Sequence, residues 1–231
     1  MDDLIRGIVQ AFEIIFSLNP ALYEVIWLSL SVSGIALVFS TVLGIPLGAA
    51  MALTRFPGRQ LMTALLYTGM GFPPVVIGLF VYLMLSRSGP AGQLGWLFTP
   101  NAMIVAQTII SFPLVAGFTM AAVMGIDPQL RRQLMSLGAT PWQATVTILL
   151  EAKIGVIVAI VAGFGAIISE VGAVMLVGGN IEGKTRVLTT AIVLETQKGN
   201  FDLAIALGFV LLFLSFLVNA ALLRLQGKAF S

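Results

Sequence analysis

The chain has 231 residues, 58% hydrophobic and only 10% charged, against about 25% charged in soluble domains. Cys and His are both absent, which removes disulfides, thiol nucleophiles, imidazole bases and the common zinc sites together. The formal net charge of +2 is too small and too scattered to suggest a nucleic-acid partner.

The start, Met1-Asp2-Asp3, is acidic, and Arg6 and Glu13 interrupt the first apolar stretch, so a cleaved signal peptide is not expected. Leu4, Ile8, Phe12 and Ile15 fall at helical spacing, and residues 1–24 read as an interfacial amphipathic segment. Spanning a bilayer takes roughly 20 apolar residues. Five stretches qualify: 25–52, 61–85, 102–124, 154–177 and 203–223. In hydrocarbon every backbone polar group must be satisfied inside the protein, so these are expected to be helices. The fold class is therefore an all-α membrane protein of five transmembrane helices, with residues 25–224 as its membrane domain and 225–231 as a tail. Pro46, Pro73, Pro74, Pro113 and the Gly44/Gly48 pair read as kinks and close helix packing.

Five spans place the termini on opposite sides, and Lys/Arg bias selects which. Residues 53–60, 125–153 and 224–231 hold Arg55, Arg59, Arg131, Arg132, Lys153, Arg224 and Lys228, seven of the twelve basic residues. That side is expected to be cytoplasmic, with the N-terminus outside and the C-terminus inside.

The longest segment on that side, residues 126–151, has the punctuation of two short helices. Asp127 caps the first with Pro128 at its first position, and Gly138 suits the left-handed residue past its end. Thr140 restarts the chain, Pro141 follows, and Gln143 completes a T-x-x-Q capping box. A compact, exposed helix start with a projecting Trp142 suits docking into another protein's groove.

Glu170 is the only ionisable residue inside a predicted span, where a charge at the centre costs roughly 2.5–3.5 kcal/mol. It reads either as a pathway or gate residue, with Gly172 beside it, or as a structural carboxyl, protonated or bonded to a neighbouring helix. A direct role as ligand for an anion is disfavoured, because a carboxylate on an anion path repels its cargo.

Gly178 to Thr185, GGNIEGKT, fits the written pattern of a phosphate-binding P-loop. Two features oppose that reading. The charge bias places Lys184 outside, where ATP is not supplied, and the 46 residues after Thr185 hold the last span and leave no room for a nucleotide-binding sheet. Asn180, Lys184, Thr185 and Arg186 are instead candidate donors to a dianion, or simply solvated loop polarity.

The helix pair resembles the cytoplasmic loop of ABC-importer permeases, whose pattern is E-A-A-x-x-x-G, nine residues, then I-x-L-P. Here those places read Arg132-Gln133-Leu134, Gly138 and Ile148-Leu149-Leu150-Glu151; Ser136-Leu137-Gly138-Ala139-Thr140-Pro141-Trp142-Gln143-Ala144 is very similar to the family's core. Within the family, Ile168 to Ala173 and Gly178 to Ile181 resemble the permeases of oxyanion importers. Residues 185–196 look most like the tungstate type.

The resemblance implies a permease without enzymatic activity, which carries a tetrahedral oxyanion, tungstate ahead of molybdate or sulfate. Implied partners are a second copy of the chain, two ATP-binding subunits that hold the ATP and Mg²⁺, and an extracytoplasmic oxyanion-binding protein. Residues 132 and 136–143 would contact the ATPase. No cofactor or metal is expected in this chain. An ATPase-independent secondary transporter is the alternative, but such proteins usually carry inverted repeats and several intramembrane charges.

Overall fold

The computed structural model describes residues 20–227, so the predicted amphipathic helix over 4–16 lies outside the described residues. Every regular element described is helical, with no strand. In chain order the helices are α1 (Pro20–Leu53), α2 (Arg59–Met70), α3 (Pro74–Leu85), a 3₁₀ turn at Gly92–Leu94, α4 (Pro100–Met124), α5 (Pro128–Ser136), α6 (Pro141–Glu151), α7 (Lys153–Ile168), α8 (Gly172–Gly178), α9 (Leu188–Gln197) and α10 (Phe201–Gly227).

Three stretches are long and apolar enough to cross a membrane as single helices: Leu22–Leu53, Pro100–Met124 and Phe201–Leu222. The other two predicted spans are not continuous. The second breaks between α2 and α3 at Gly71-Phe72-Pro73, where the ring of Pro73 and the extended conformation it favours end the helix. The fourth ends at Ile168 and resumes as α8 at Gly172, so 154–177 is not one span. Its α7 instead forms a bent pair with α6, turned by 71°. Counting each bent pair as one crossing gives up to five spans. Pro46 and Pro113, by contrast, lie inside unbroken α1 and α4.

The chain packs as two compact units. One comprises residues 20–36, Pro73–Gln107 and Gly165–Ala220; the other comprises Leu37–Phe72, Thr108–Phe164 and residues 221–227.

In the first unit, Leu22, Leu188, Ala191, Leu207 and Val210 form an apolar cluster from α1, α9 and α10. Ser29 Oγ accepts from Leu188 N at 2.8 Å and so caps the start of α9. α3 and α8 pack at close range: a Cβ added to Gly78 would stand 2.6 Å from Ala173 Cα.

In the second unit, Met51, Leu66, Ala116 and Met120 form the main cluster. Gly44 and Gly48 on α1 lie against Val115, Ala116 and Thr119 of α4, the close packing expected of small residues four apart. The hydroxyls of Ser40 and Ser111 hydrogen-bond across the same pair. A further cluster of Val123, Ile148 and Ala152 joins α4 to α6.

Candidate functional site

The helix pair α5–α6 forms as its caps dictate. Asp127 Oδ1 accepts from Gln129 N at 2.8 Å, with Pro128 at the first position of α5. After Leu137 the chain turns at Gly138, φ 91°, a left-handed conformation that glycine adopts without steric cost. Its turn is closed by Gly138 N to Met135 O at 3.1 Å and Ala139 N to Leu134 O at 3.0 Å.

Thr140 and Gln143 then exchange hydrogen bonds: Gln143 N donates to Thr140 Oγ1 at 3.3 Å and Thr140 N to Gln143 Oε1 at 2.8 Å. Both orphan donors at the start of α6 are thereby satisfied.

The two faces of α6 differ sharply. Ala144 and Ile148 are buried, and Ile148 packs with Val123 and Ala152, with Leu53 and Leu130 around them. On the other side, Trp142 is 75% exposed, and Leu137, at the C-terminal cap of α5, is 85% exposed. A shallow concavity beside them is lined by Gln129, Arg132, Gln133, Ser136 and Leu137. Large apolar side chains on a tightly capped, rigid scaffold, held to the core by their opposite face, are the anatomy of a protein contact. Of the predicted residues, Arg132, Ser136 and Leu137 line this concavity, and Trp142 stands exposed at the start of α6.

Glu170 lies outside helix, in the break between α7 and α8, and is half-buried. Its Oε1 accepts from Ala173 N at 2.8 Å, so the carboxyl caps the first turn of α8. Thr189 Oγ1 donates to the Glu170 carbonyl at 3.1 Å. The expectation of a charge within a continuous span is corrected: the helix breaks where the carboxyl sits, and the freed N–H groups of α8 receive it. Gly172 is held close to α3, for a Cβ there would stand 3.5 Å from Glu170 Oε1 and collide with Val75.

The GGNIEGKT loop is preceded by the seven-residue helix α8 and has no strand on either side. Gly179 and Asn180 turn it through left-handed conformations, φ 75° and 51°. Thr185 is fully buried; its Oγ1 donates to Gly178 O at 2.6 Å and accepts from Ile181 N at 2.9 Å. The hydroxyl that would hold Mg²⁺ in a P-loop is engaged inside its own loop.

The four candidate anion donors sit in different surroundings, with Thr185 engaged inside the loop. Arg186 pairs with Glu182 at 3.1 Å, Asn180 Nδ2 donates to Thr190 O at 3.4 Å, and only Lys184 stands exposed without an ion pair.

Two features escaped the sequence reading. Glu195, buried on α9, accepts from Lys198 Nζ at 2.7 Å and Asn200 Nδ2 at 2.8 Å. The Asn200 hydrogen bond, then that of Lys198, holds its carboxyl below the usual range. The E-x-x-K-G-N spacing across a helix end was the available signal. Arg59 Nε and Arg131 Nη1 donate to Met51 O at 2.8 Å and Leu53 O at 2.5 Å, capping the C-terminus of α1, which carries no basic residue of its own in its last turn.

Residues 44–229 match the family described as "Binding-protein-dependent transport system inner membrane component". The chain belongs to this family. It is 40% identical over 228 residues to the tungstate uptake system permease protein TupB of Peptoclostridium acidaminophilum, covering 99% of this chain and 100% of that protein. To a probable anion ABC transporter permease protein of Haloferax volcanii it is 43% identical over 205 residues, 87% of this chain and 88% of that one. In fold it is similar to a chain of the inward-facing MetNI methionine ABC transporter, with a TM-score of 0.74 at 21% identity, over 91% of this chain and 96% of that one. Family membership makes the chain a multi-pass component of the inner membrane.

Proposed function

We propose that this permease is the membrane subunit of an ATP-binding-cassette importer that brings a tetrahedral oxyanion, tungstate first, into the cytoplasm. The observation that carries the substrate is the identity to a tungstate uptake permease, which runs the full length of both chains. The assembly is two copies of this chain, two ATPase subunits holding ATP and Mg²⁺, and an extracytoplasmic binding protein.

The α5–α6 surface faces the cytoplasm in this reading and receives the ATPase, with Leu137 and Trp142 as its apolar anchors. The N-terminus is outside and the C-terminus inside. Movement of the ATPase reaches the spans through Ala144 and Ile148, because a packed core transmits displacement rather than absorbing it. The Lys184 loop faces the side from which cargo arrives.

The test is co-purification followed by ATPase assay. The chain with its ATPase and binding protein should hydrolyse ATP faster when tungstate is added, with molybdate and sulfate as comparison arms. An ATPase that neither co-purifies nor responds to any oxyanion contradicts the proposal; a response to molybdate or sulfate alone moves the cargo within the oxyanion class.

A further inference from the structure

The second unit contains a groove of about 350 Å³ at the foot of α1, lined by Leu53, Thr54, Arg55, Arg59, Asp127 and Arg131 among others. We propose that this groove binds a phosphate group, as carried by an anionic phospholipid headgroup or by free inorganic phosphate.

Three arginines line the groove, and none of them forms an ion pair with a carboxylate among the described residues, where the ion pairs are Arg186–Glu182 and Lys198–Glu195. Arg59 and Arg131 are fixed in place by their bonds to Met51 O and Leu53 O. Those bonds orient the guanidiniums without neutralising them, and a guanidinium has five donors, so N–H groups remain on both. The Arg55 side chain is exposed and makes no hydrogen bond among the described residues.

Asp127 also lines the groove, but it is one carboxylate against three arginines, and its Oδ1 already caps Gln129 N. Like charges gathered in one groove repel each other, and a bound anion relieves that repulsion. Arginine forks match the geometry of phosphate oxygens.

The neighbourhood favours the lipid source. Phe56, in the turn between α1 and α2, and Leu61 and Leu65 on α2 are exposed apolar side chains. They lie close to Arg55 and Arg59 in the chain, as suits a segment lying where acyl tails meet headgroups. Nothing in this placement depends on which way the chain is oriented or on the cargo it carries.

The experiment measures binding of phosphatidylglycerol to the full-length chain held in phosphatidylcholine nanodiscs, for the wild type, Arg55→Gln and Arg224→Gln. Arg55 touches no other side chain through a polar bond, so its loss leaves the fold intact. We expect Arg55→Gln to weaken phosphatidylglycerol binding about fivefold, the contribution of one basic residue near an anionic surface, and Arg224→Gln, at the far end of α10, to leave it unchanged. Displacement of the lipid by inorganic phosphate supports a site for phosphate from either source. Failure to displace it supports a site for the headgroup alone. Wild-type binding by Arg55→Gln, or equal losses in both variants, overturns the site in favour of diffuse surface charge. Unchanged lipid binding with weakened ATPase association in Arg55→Gln overturns it in favour of a protein contact.

Discussion

The hydroxyl of Thr185 lies 2.6 Å from the carbonyl oxygen of Gly178, so the first and last residues of the P-loop-like octet are tied to one another. The same oxygen accepts from Ile181 N. A loop closed in this way has no hydroxyl to give to Mg²⁺ and no backbone N–H array pointing at a phosphate. Thr185→Val should leave a buried N–H and a buried carbonyl unsatisfied and cost about 1–3 kcal/mol, lowering the melting temperature in detergent, whereas Thr185→Ser should retain most of the stability. Lys184→Ala should change neither stability nor nucleotide binding. A loss of ATP binding by the isolated chain on Lys184→Ala would show that the loop reading is wrong.

At Gly138 the strain and the space can be separated. The residue has φ 91°, and nothing lies within 4 Å of a Cβ built there. The cost of Gly138→Ala is therefore that of a left-handed side chain, about 1–2 kcal/mol, with no added steric term inside this chain. Trp142→Ala should cost little stability because the indole is exposed. Both variants are expected to insert normally and to lose uptake together with ATPase association. Full transport by both, measured beside normal membrane levels, would remove the α5–α6 turn from the mechanism.

For Glu170 the cap makes the two readings measurable. Glu170→Gln keeps a carbonyl oxygen for Ala173 N, so it should fold and, if the group is structural, transport normally. Glu170→Leu removes the cap and should cost about 1 kcal/mol. A well-folded Gln variant that does not transport would assign the charge itself to a gate.

Much of this architecture was legible in the sequence, and the reasons differ by element. The boundaries of α5 and α6 were readable because each rests on a local device, Asp127-Pro128 and Thr140-x-x-Gln143, which needs no tertiary partner. The three unbroken spans were readable from length and apolarity alone.

The breaks were not. Gly71-Phe72-Pro73 carries a helix-ending signal, yet Pro46 and Pro113 carry similar signals and their helices continue, since the neighbouring packing decides the outcome. The Ser169-Glu170-Val171 break combines a local cap, Glu170 on Ala173 N, with a bond from Thr189 Oγ1 that only the fold brings there. α9 was hidden for the same reason: its start is capped by Ser29, far away in the chain. Which of the candidate donors at residues 180–186 the loop itself engages, Thr185 among them, was not legible, because side-chain type does not reveal it.

Glu195 supplies a pH dependence. Its carboxyl is held below the usual range by the Asn200 and Lys198 hydrogen bonds, while in the unfolded chain a glutamate titrates near about 4.3. The folded state therefore gains stability above that value and loses it as pH falls through the lower, folded value. Thermal melts of the wild type should show a larger drop between neutral pH and about pH 4 and below than melts of Glu195→Gln, which has no charge to lose. Parallel pH profiles for the two would contradict the assignment.

The most direct measurement of the central claim is uptake of labelled tungstate into sealed vesicles that contain the permease, its ATPase and its binding protein, with ATP supplied on the ATPase side. ATP-dependent accumulation of tungstate is expected, competed by molybdate more strongly than by an amino acid or sugar, and abolished by Gly138→Leu. Accumulation of an amino acid or sugar, with no response to tungstate, molybdate or sulfate, would contradict the oxyanion assignment.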